Sequence, residues 1–182
     1  MAGPARQRHI IFLRGVNVGG HGRLPMAQLR DICTSLGALN VSTYIQSGNV
    51  VLDDARHGSQ LAVDLEAAIE QHAGFRPVVV TRSPAAVERT LAANPYPDTP
   101  ENFLHIGFMS AAPDPGGLAA LQDEDYAPEG FTVAGTEIYL NFVHGMGTSK
   151  RLAKVPFERS LGVSITARNL RTVRKVLELA GA

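Results

Sequence analysis

Residues 12–26, FLRGVNVGGHGRLPM, combine glycines with cationic and amide side chains, and such a combination is able to bind an anion. Glycine lets main-chain N–H groups turn toward a ligand and lets that ligand approach the backbone closely. A helix expected to begin at Pro25 directs the positive end of its dipole to the same place. The anion-binding residues predicted in this stretch are Arg14, Gly15, Asn17, Gly19, Gly20, His21 and Arg23.

The same glycines have a simpler interpretation, because a tight and irregular loop also needs them. Neither the dinucleotide pattern G-x-G-x-x-G nor the P-loop pattern G-x-x-x-x-G-K-S/T occurs, so the familiar nucleotide sites are not predicted. His21 is the one candidate for an acid or a base, and no catalytic residue is assigned. Whether the protein is an enzyme stays open at this stage.

A second glycine-rich connection, GMGTSK at residues 145–150, resembles a rearranged phosphate loop. Ser149 is expected to cap a helix, which places Lys150 in the first helical turn. A cation there opposes the helix dipole at a cost of roughly 0.3–1 kcal/mol, which is tolerable if the lysine faces an anion. An ordinary surface lysine is the alternative interpretation.

The segment TARNLRTVRK, residues 166–175, repeats the placement of a cation at a helix start. Thr166 is expected to cap the last helix, with Arg168 and Asn169 in its first turn. A guanidinium suits phosphate oxygens bidentately, so Arg168 and Asn169 join the predicted ligand shell. The other cations of the segment are explained as well by a solvated helix face.

A hairpin turn, YIQSGN at residues 44–49, adds Gln46, Ser47 and Asn49 to the candidate site. Turn chemistry alone accounts for Ser-Gly-Asn, whereas a glutamine is less expected at the end of an apolar strand. Ser47 lacks the G-x-S-x-G pattern of a nucleophile elbow, so it is not predicted to attack a substrate. The six histidines and the single cysteine, Cys33, show no zinc-ligand spacing, so no metal site is predicted.

The charges are unevenly distributed along a chain of 182 residues whose formal net charge is zero. From Ser149 onward there are eight basic and two acidic residues, a net of +6, and the remaining nine basic and fifteen acidic residues give −6. This distribution indicates either an anionic partner or docking of the basic segment on the acidic part of the chain, and both stay open. Nucleic acid is not favoured as a partner, because aromatic residues make up only 6% and tryptophan is absent.

Hydropathy and cysteine usage indicate the compartment. No apolar run is long enough for a membrane span or a secretory signal, so no membrane partner is predicted. One cysteine excludes an internal disulfide and fits a reducing cytoplasm. The cytoplasm is therefore the expected location, and no cofactor is identified.

Apolar periodicity and turn signals predict an α+β protein of two tandem ferredoxin-like, βαββαβ, halves. A loose tail is expected at residues 1–8, and the first half at residues 9–82. A linking helix and a Pro-rich connection are predicted at residues 83–101. The second half and a C-terminal helix occupy residues 102–182, with the last strand expected near residues 163–165.

Four blocks of the sequence resemble, in order and spacing, domain-of-unknown-function family sixteen-ninety-seven: FLRGVNVGGHGRLPMAQLR, TYIQSGNVVL, GMGTSKRL and TARNLRTVRKVLELA. The resemblance spans nearly the whole chain. It implies a tandem ferredoxin-like fold and a bacterial cytoplasmic setting, and it supplies no catalytic residues, since the family has no established activity. The chain departs from the family at Pro156, which is expected to interrupt a helix that looks continuous in relatives.

These patterns together predict a protein that binds a small anionic ligand, bearing phosphate or carboxylate, through its glycine-rich loops and arginines. The alternative is a non-catalytic module for protein interaction or self-association, and nucleic-acid binding is the third possibility. Ordered self-association around an empty glycine loop favours the alternative over ligand binding.

Overall fold

The computed structural model describes residues 5–181, which divide into two compact units. Residues 5–89 and 175–181 belong to the first unit, and residues 90–174 form the second. Each unit contains one four-stranded antiparallel sheet, so the chain is α+β as predicted. Residues 1–4 of the expected N-terminal tail lie outside the described part of the chain.

The first unit follows the order β-α-β-β-α-β, and its sheet has the strand order β2-β3-β1-β4. Its elements are β1 (Gln7–Arg14), α1 (Met26–Ser35), β2 (Leu39–Tyr44), β3 (Asn49–Asp54), α2 (Gly58–Ala73) and β4 (Val78–Arg82). The first strand begins two residues earlier than expected, because Gln7 and Arg8 pair with the end of β3. Arg8 also forms an ion pair with Asp53, with an Nη1–Oδ1 distance of 3.1 Å.

The second unit repeats the same order with shorter helices, and its sheet has the strand order β6-β7-β5-β8. A helix, α3 (Pro84–Ala92), joins the two sheets in sequence, and the last helix is α6 (Leu170–Leu179). The division between the units passes through both of these helices. The elements of the second sheet and its helices are β5 (Leu104–Met109), α4 (Pro115–Gln122), β6 (Gly130–Ala134), β7 (Glu137–Asn141), α5 (Phe157–Leu161) and β8 (Ile165–Asn169).

The core of the first unit follows the apolar stripes of α1 and α2. The buried residues of α2 are Leu61, Leu65, Ala68 and Ile69, whose spacing of three and four residues places them on one face of the helix. Gly74 ends the helix in the left-handed conformation, with φ of 75°. These side chains pack with alternate residues of β1 and β3 on one face of the sheet.

The connection between β7 and β8 is irregular, and it builds much of the core of the second unit. It contains two single 3₁₀ turns, Met146–Thr148 and Leu152–Lys154, before the five-residue α5. The interruption predicted at Pro156 is confirmed, since α5 begins only after this proline. Leu152, at the start of the second turn, is buried against the sheet together with apolar residues of α5.

The last strand lies later in the chain than the sequence indicated. The expected strand at residues 163–165 is wrong, because β8 runs from Ile165 to Asn169 and pairs with β5 along that length. Thr166 and Arg168 therefore lie in a strand and not at a helix start. The cap of α6 is Asn169, whose Oδ1 accepts the backbone N–H of Thr172 at 2.9 Å.

None of the helices within residues 5–181 is both long enough and apolar enough to cross a lipid bilayer.

Candidate anion-binding groove

The glycine-rich connection after β1 folds into a tight turn in the first unit. Val18 and His21 form an isolated antiparallel bridge around Gly19 and Gly20, whose φ values are 60° and 79°. Both central residues of such a turn need positive φ, which glycine adopts without steric cost. Backbone geometry is therefore sufficient to explain these two glycines.

Gly22 is required for a different reason, which is the close approach of two chain segments. A Cβ atom at Gly22 would overlap the carbonyl oxygen of Gly15 and would lie 3.2 Å from the ring of Phe75. The backbone N–H of Asn17 donates to the Gly22 carbonyl at 2.9 Å, which closes the loop. The glycines thus give the loop its shape without any ligand.

The side chain of Asn17 joins three segments of the first unit. Its amide nitrogen donates to the carbonyl oxygens of Leu24 and Gln46, both at 2.8 Å. Its Oδ1 accepts the backbone N–H of Leu24 at 2.9 Å. Both amide hydrogens are therefore used inside the protein, so Asn17 holds the loop against α1 and the neighbouring hairpin.

The hairpin turn between β2 and β3 is stabilised by its own polar residues. Asn49 is fully buried, and its amide donates to the carbonyl oxygen of Tyr44 and to Ser47 Oγ, both at 3.0 Å. Gln46 is exposed, and its backbone carbonyl accepts the bond from Asn17. Ser47 and Asn49 thus act in the turn itself, as turn chemistry alone had indicated.

The cationic candidates of this loop, Arg14, His21 and Arg23, are all exposed to solvent. Electrostatic attraction between exposed charges and a ligand is weak at physiological ionic strength, because the Debye length is about 8 Å. Lys150, Arg151 and Lys154 of the second unit are exposed as well, and they differ in that all three line one concave surface.

A concave site with cationic walls lies in the second unit, beside the segment that contains Lys150. This groove has a volume of about 510 Å³. The side chains of Lys150, Arg151 and Lys154 line it together with the ring of Tyr126, and Glu124 is the acidic residue on its wall. Its volume is within the range of small-molecule sites, roughly 300–1,000 Å³.

Hydrogen bonds from Glu129 and Ser149 fix the cationic segment. Glu129 Oε2 accepts from Ser149 Oγ at 2.7 Å and from the backbone N–H of Leu152 at 3.3 Å. Ser149 Oγ in turn accepts the N–H of Ala153 at 3.0 Å, which ties Ser149 to the second 3₁₀ turn. Lys150 therefore lies between two 3₁₀ turns, and the expectation that it begins an α-helix is wrong.

The aromatic wall of the groove is held in place from the core. Tyr126 makes an edge-on contact with Phe131, with ring centroids 5.6 Å apart, and Phe131 contacts Phe157 in the same manner at 5.1 Å. The guanidinium carbon of Arg151 lies 6.0 Å from the centroid of the Tyr126 ring. Burial raises the pKa of the Tyr126 hydroxyl, so the ring remains neutral at physiological pH.

A second cavity of about 300 Å³ shares three lining residues with this groove, and we call it the second lobe. Tyr126, Lys150 and Arg151 line both lobes. The second lobe adds Pro128 and the imidazole of His144 to the lining. We use the term groove for both lobes together, the cationic lobe being the one that includes Lys154.

Arg168 lies elsewhere in the second unit. It pairs with Ile106, which pairs with Tyr139, so these three residues share one face of the sheet. The neighbouring Ile138 and Leu140 point to the opposite face, on which α5 packs. The structure therefore does not bring Arg168 to the groove that Lys150 lines.

The environment of Arg168 is unusual for a cation. Its Nη1 donates to Thr166 Oγ1 at 3.0 Å and to the carbonyl oxygen of Ala167 at 2.8 Å. Burial lowers the pKa of its guanidinium to about 10, because removal from water disfavours the charged form. Asn169, the other candidate on this strand, caps α6 as described above.

Sequence reasoning missed Tyr126, Arg151 and Lys154 as candidates. A signal for the two cations was present, since three basic residues fall within KRLAK at residues 150–154. Tyr126 had no comparable signal, because it lies in an acidic loop more than twenty residues away in sequence. Only the packing of that loop brings its ring to the cations.

Other titratable groups offer less chemistry. Burial raises the pKa of the Cys33 thiol to about 12, so it remains protonated and unreactive. Among the residues that the structure describes, no group of three His, Cys, Asp or Glu side chains is arranged to hold a metal ion.

The fold and the site define an α+β protein of two antiparallel sheets with a cationic groove in its second unit. The chain belongs to the DUF1697 family of proteins of unknown function, whose family model matches residues 6–139. The solved structure of a conserved bacterial protein from Streptococcus pneumoniae is similar, with 27% sequence identity and a TM-score of 0.77. This similarity covers 97% of the present chain and 99% of the other. No curated protein matches the sequence.

Proposed function

We propose that this protein binds a small anionic ligand, bearing phosphate or carboxylate, in the cationic lobe of the groove. The observation that carries the proposal is the convergence of Lys150, Arg151 and Lys154 on one concave surface. Only Glu124 opposes them on the wall of that lobe, so the local charge favours an anion. The ligand class is the one that the sequence indicated, whereas the principal residues differ.

Side chains, and not backbone amides, are the donors expected to recognise this ligand. The N–H groups of Thr148 and Ser149 donate to the carbonyl oxygens of Gly145 and Met146. Those of Leu152 and Ala153 donate to Glu129 and Ser149, so much of the loop backbone is already engaged. Recognition by flexible cationic side chains tolerates several anion shapes, in contrast to a rigid phosphate loop.

The same proposal includes the architecture and the setting. The order β-α-β-β-α-β in each unit, with the first strand between the third and the fourth, supports two tandem ferredoxin-like halves. We assign them to residues 9–82 and 102–182, with residues 83–101 as the connection. A cytoplasmic location is part of the proposal, supported by the single free cysteine.

The test is a thermal-shift and calorimetric titration of the full chain with phosphate and with short dicarboxylates. Replacing Lys150 and Lys154 by Gln removes two charge-assisted interactions of exposed side chains, each worth about 0.5–1 kcal/mol. We expect the affinity to fall about fivefold to thirtyfold, since 1.4 kcal/mol is tenfold. Binding by exposed cations should also weaken as the salt concentration rises.

The matched control replaces the cations of the glycine loop, His21→Gln together with Arg23→Gln. Under our proposal this control binds phosphate as the unmodified protein does. Loss of binding in the control alone assigns the ligand to the glycine loop instead. Absence of any saturable anion binding contradicts the proposed function altogether.

A second candidate function, self-association or binding of another protein, is supported by one observation in the first unit. The bond between Asn17 and Gln46 holds their neighbours Val18 and Ile45 at one end of the unit, and these two are 63% and 49% exposed. Ile45 is β-branched and has φ of 48°, a conformation that costs roughly 1–2 kcal/mol. An exposed apolar residue held in a strained conformation is typical of a contact site.

Analytical ultracentrifugation of Ile45→Asn tests this alternative. Asparagine tolerates positive φ, so the variant should be more stable and, if the surface mediates assembly, monomeric. Val63→Asn is the control, because Val63 is equally exposed, at 52%, on α2. A sedimentation coefficient that is unchanged in both variants counts against self-association through this end.

A further inference from the structure

We infer that the ligand of the groove carries a planar ring beside its anionic group, as in an aryl phosphate or a nucleoside monophosphate. This inference rests on the proposed function. It concerns the second lobe, which a small anion bound in the cationic lobe does not occupy. The observation that carries the inference is that the two lobes share Tyr126, Lys150 and Arg151 in their linings, and that the second lobe adds Pro128 and His144.

The shared cations place the anionic group at the junction of the lobes. Lys150 and Arg151 line both lobes, whereas Lys154 lines only the cationic lobe. An anion held by all three side chains therefore lies at the junction or within the cationic lobe. Any further part of the ligand has the second lobe, of about 300 Å³, available to it.

Glu129 is the acidic residue that lines the second lobe, and its carboxylate is oriented by the hydroxyl of Ser149 and the N–H of Leu152. Lys150 and Arg151 line the same lobe, so charge alone does not decide which group it accepts. The carboxylate oxygens accept hydrogen bonds, and they therefore suit a neutral ring that carries N–H groups.

The remaining walls of the second lobe suit a flat apolar group. The ring of Tyr126 and the pyrrolidine of Pro128 line it with the exposed imidazole of His144. Aromatic and proline side chains offer flat surfaces on which a ring stacks. Tyr126 is fixed by its edge-on contact with Phe131, so the platform exists before the ligand arrives.

The experiment is calorimetry on the full chain with four probes: inorganic phosphate, ribose 5-phosphate, phenyl phosphate and adenosine 5′-monophosphate. Stacking of one ring increases affinity by about tenfold or more. We therefore expect the two ring-bearing phosphates to bind at least about tenfold more tightly than phosphate or ribose 5-phosphate. A preference between phenyl phosphate and the nucleotide distinguishes the two sources of the ring.

Two variants assign the ring to the second lobe. His144→Ala should weaken the ring-bearing probes by about threefold to tenfold, a larger loss than for inorganic phosphate. Tyr126→Leu removes the platform and should make all four phosphates bind alike. A circular-dichroism melt checks that each variant is folded, and the four-probe comparison on the unmodified protein does not depend on either.

The outcomes separate this inference from the proposed function. Equal affinity for all four probes overturns the ring while anion binding stands. Ring-dependent binding that neither variant alters also overturns the assignment to this lobe. If no probe binds, both the inference and the proposed function fail.

Discussion

The two units have the same strand order but differ in the connection from their third to their fourth strand. In the first unit that connection is the 16-residue helix α2. In the second unit the corresponding connection contains two 3₁₀ turns and the five-residue α5. The groove lies beside this irregular connection, so the site arises where the second unit lacks a long helix.

The pairing of the strands shows which residues occupy equivalent positions in the two sheets. His9 pairs with Leu52 in the first sheet, and His105 pairs with Leu140 in the second. In both sheets the partner is the fourth residue of the third strand, counted from Asn49 or Glu137. On this alignment Phe12 corresponds to Phe108, Ile10 to Ile106 and Arg82 to Arg168.

The difference between the units shows how one topology is used in two ways. In the first unit, polar loop residues such as Asn17 and Asn49 are engaged in bonds that hold the loops together. In the second unit, Glu129 and Ser149 fix the backbone and leave the neighbouring cations directed at a groove. The polar loop residues of the first unit thus stabilise its loops, whereas the cations of the second unit line a groove.

The largest expected effect tests the packing of the short helices in the second unit. A Cβ atom at Gly117 would overlap the carbonyl oxygen of Ser160, which forces α4 and α5 apart. We expect Gly117→Ala to lower the free energy of unfolding by about 3 kcal/mol, as overpacking does. Urea denaturation monitored by circular dichroism measures the change.

The adjacent glycine of the same helix provides the control. A Cβ atom at Gly116 meets only Asp114 Oδ2, at 3.3 Å, so Gly116→Ala should change stability by less than about 1 kcal/mol. If both variants lose the same free energy of unfolding, α4 and α5 do not pack closely. The contrast between a long helix in the first unit and closely packed short helices in the second is then wrong.

The next effect concerns the loop of the first unit. Asn17→Ala removes three hydrogen bonds and places alanine at φ of 54°, so we expect a loss of about 2–3 kcal/mol. Gln46→Ala keeps the backbone carbonyl that accepts from Asn17 and should stay within about 0.5 kcal/mol. Chemical denaturation measures both, and anion binding in the groove should persist in each variant that folds.

A ligand-binding role for Asn17 predicts the reverse pattern. In that case Asn17→Ala leaves the denaturation midpoint unchanged and abolishes anion binding. This outcome returns the site to the glycine loop and contradicts the division of roles between the units.

The sequence was most informative where local signals and tertiary packing agree. The apolar spacing of Leu61, Leu65 and Ile69 defines a helix face, and Gly74 marks its end, so α2 was predictable. The last strand was not, because its polar residues Thr166 and Arg168 resemble a helix start, whereas pairing with β5 decides their conformation.

For the candidate site, the sequence indicated an anionic ligand, which stays a prediction, and it included one residue of the groove, Lys150. Glycines and cations in two loops indicated an anion, and Lys150 lies on the groove. Backbone geometry is sufficient to explain the glycines after β1. At Gly22, for example, the chain passes so close to the carbonyl oxygen of Gly15 that a Cβ atom has no room. Tyr126 and Lys154 meet only through tertiary packing, which no spacing within the sequence specifies.

The smallest expected effect uses the equivalence of His9 and His105. Burial lowers the pKa of both imidazoles, against the opposing effect of Asp54 on His9. One nitrogen of each ring has no hydrogen-bond partner within residues 5–181. Neither imidazole therefore has an acceptor at that nitrogen to stabilise its protonated form. Each of these two histidines therefore binds fewer protons in the folded protein than in the unfolded chain when the pH lies between its lowered pKa and about 6.5.

The sign of the pH dependence follows from these lowered pKa values. The stability that the neutral histidines contribute is complete above the unfolded pKa of about 6.5 and is lost as the pH falls through their folded pKa values. Each unit of lowering is worth about 1.4 kcal/mol. The carboxylates Asp53 and Asp54 have pKa values lowered by their partners, so they add little between pH 7.5 and pH 5.

Urea denaturation at pH 7.5, 6 and 5 measures this dependence in His9→Gln, His105→Gln and the double variant. Glutamine does not titrate, so each single variant should have a flatter profile than the unmodified protein, and the double variant the flattest. His144→Gln is the control, because His144 is exposed and its replacement should leave the slope unchanged. A slope that disappears with one replacement alone shows that the two positions, although equivalent in register, differ in how strongly their units exclude water.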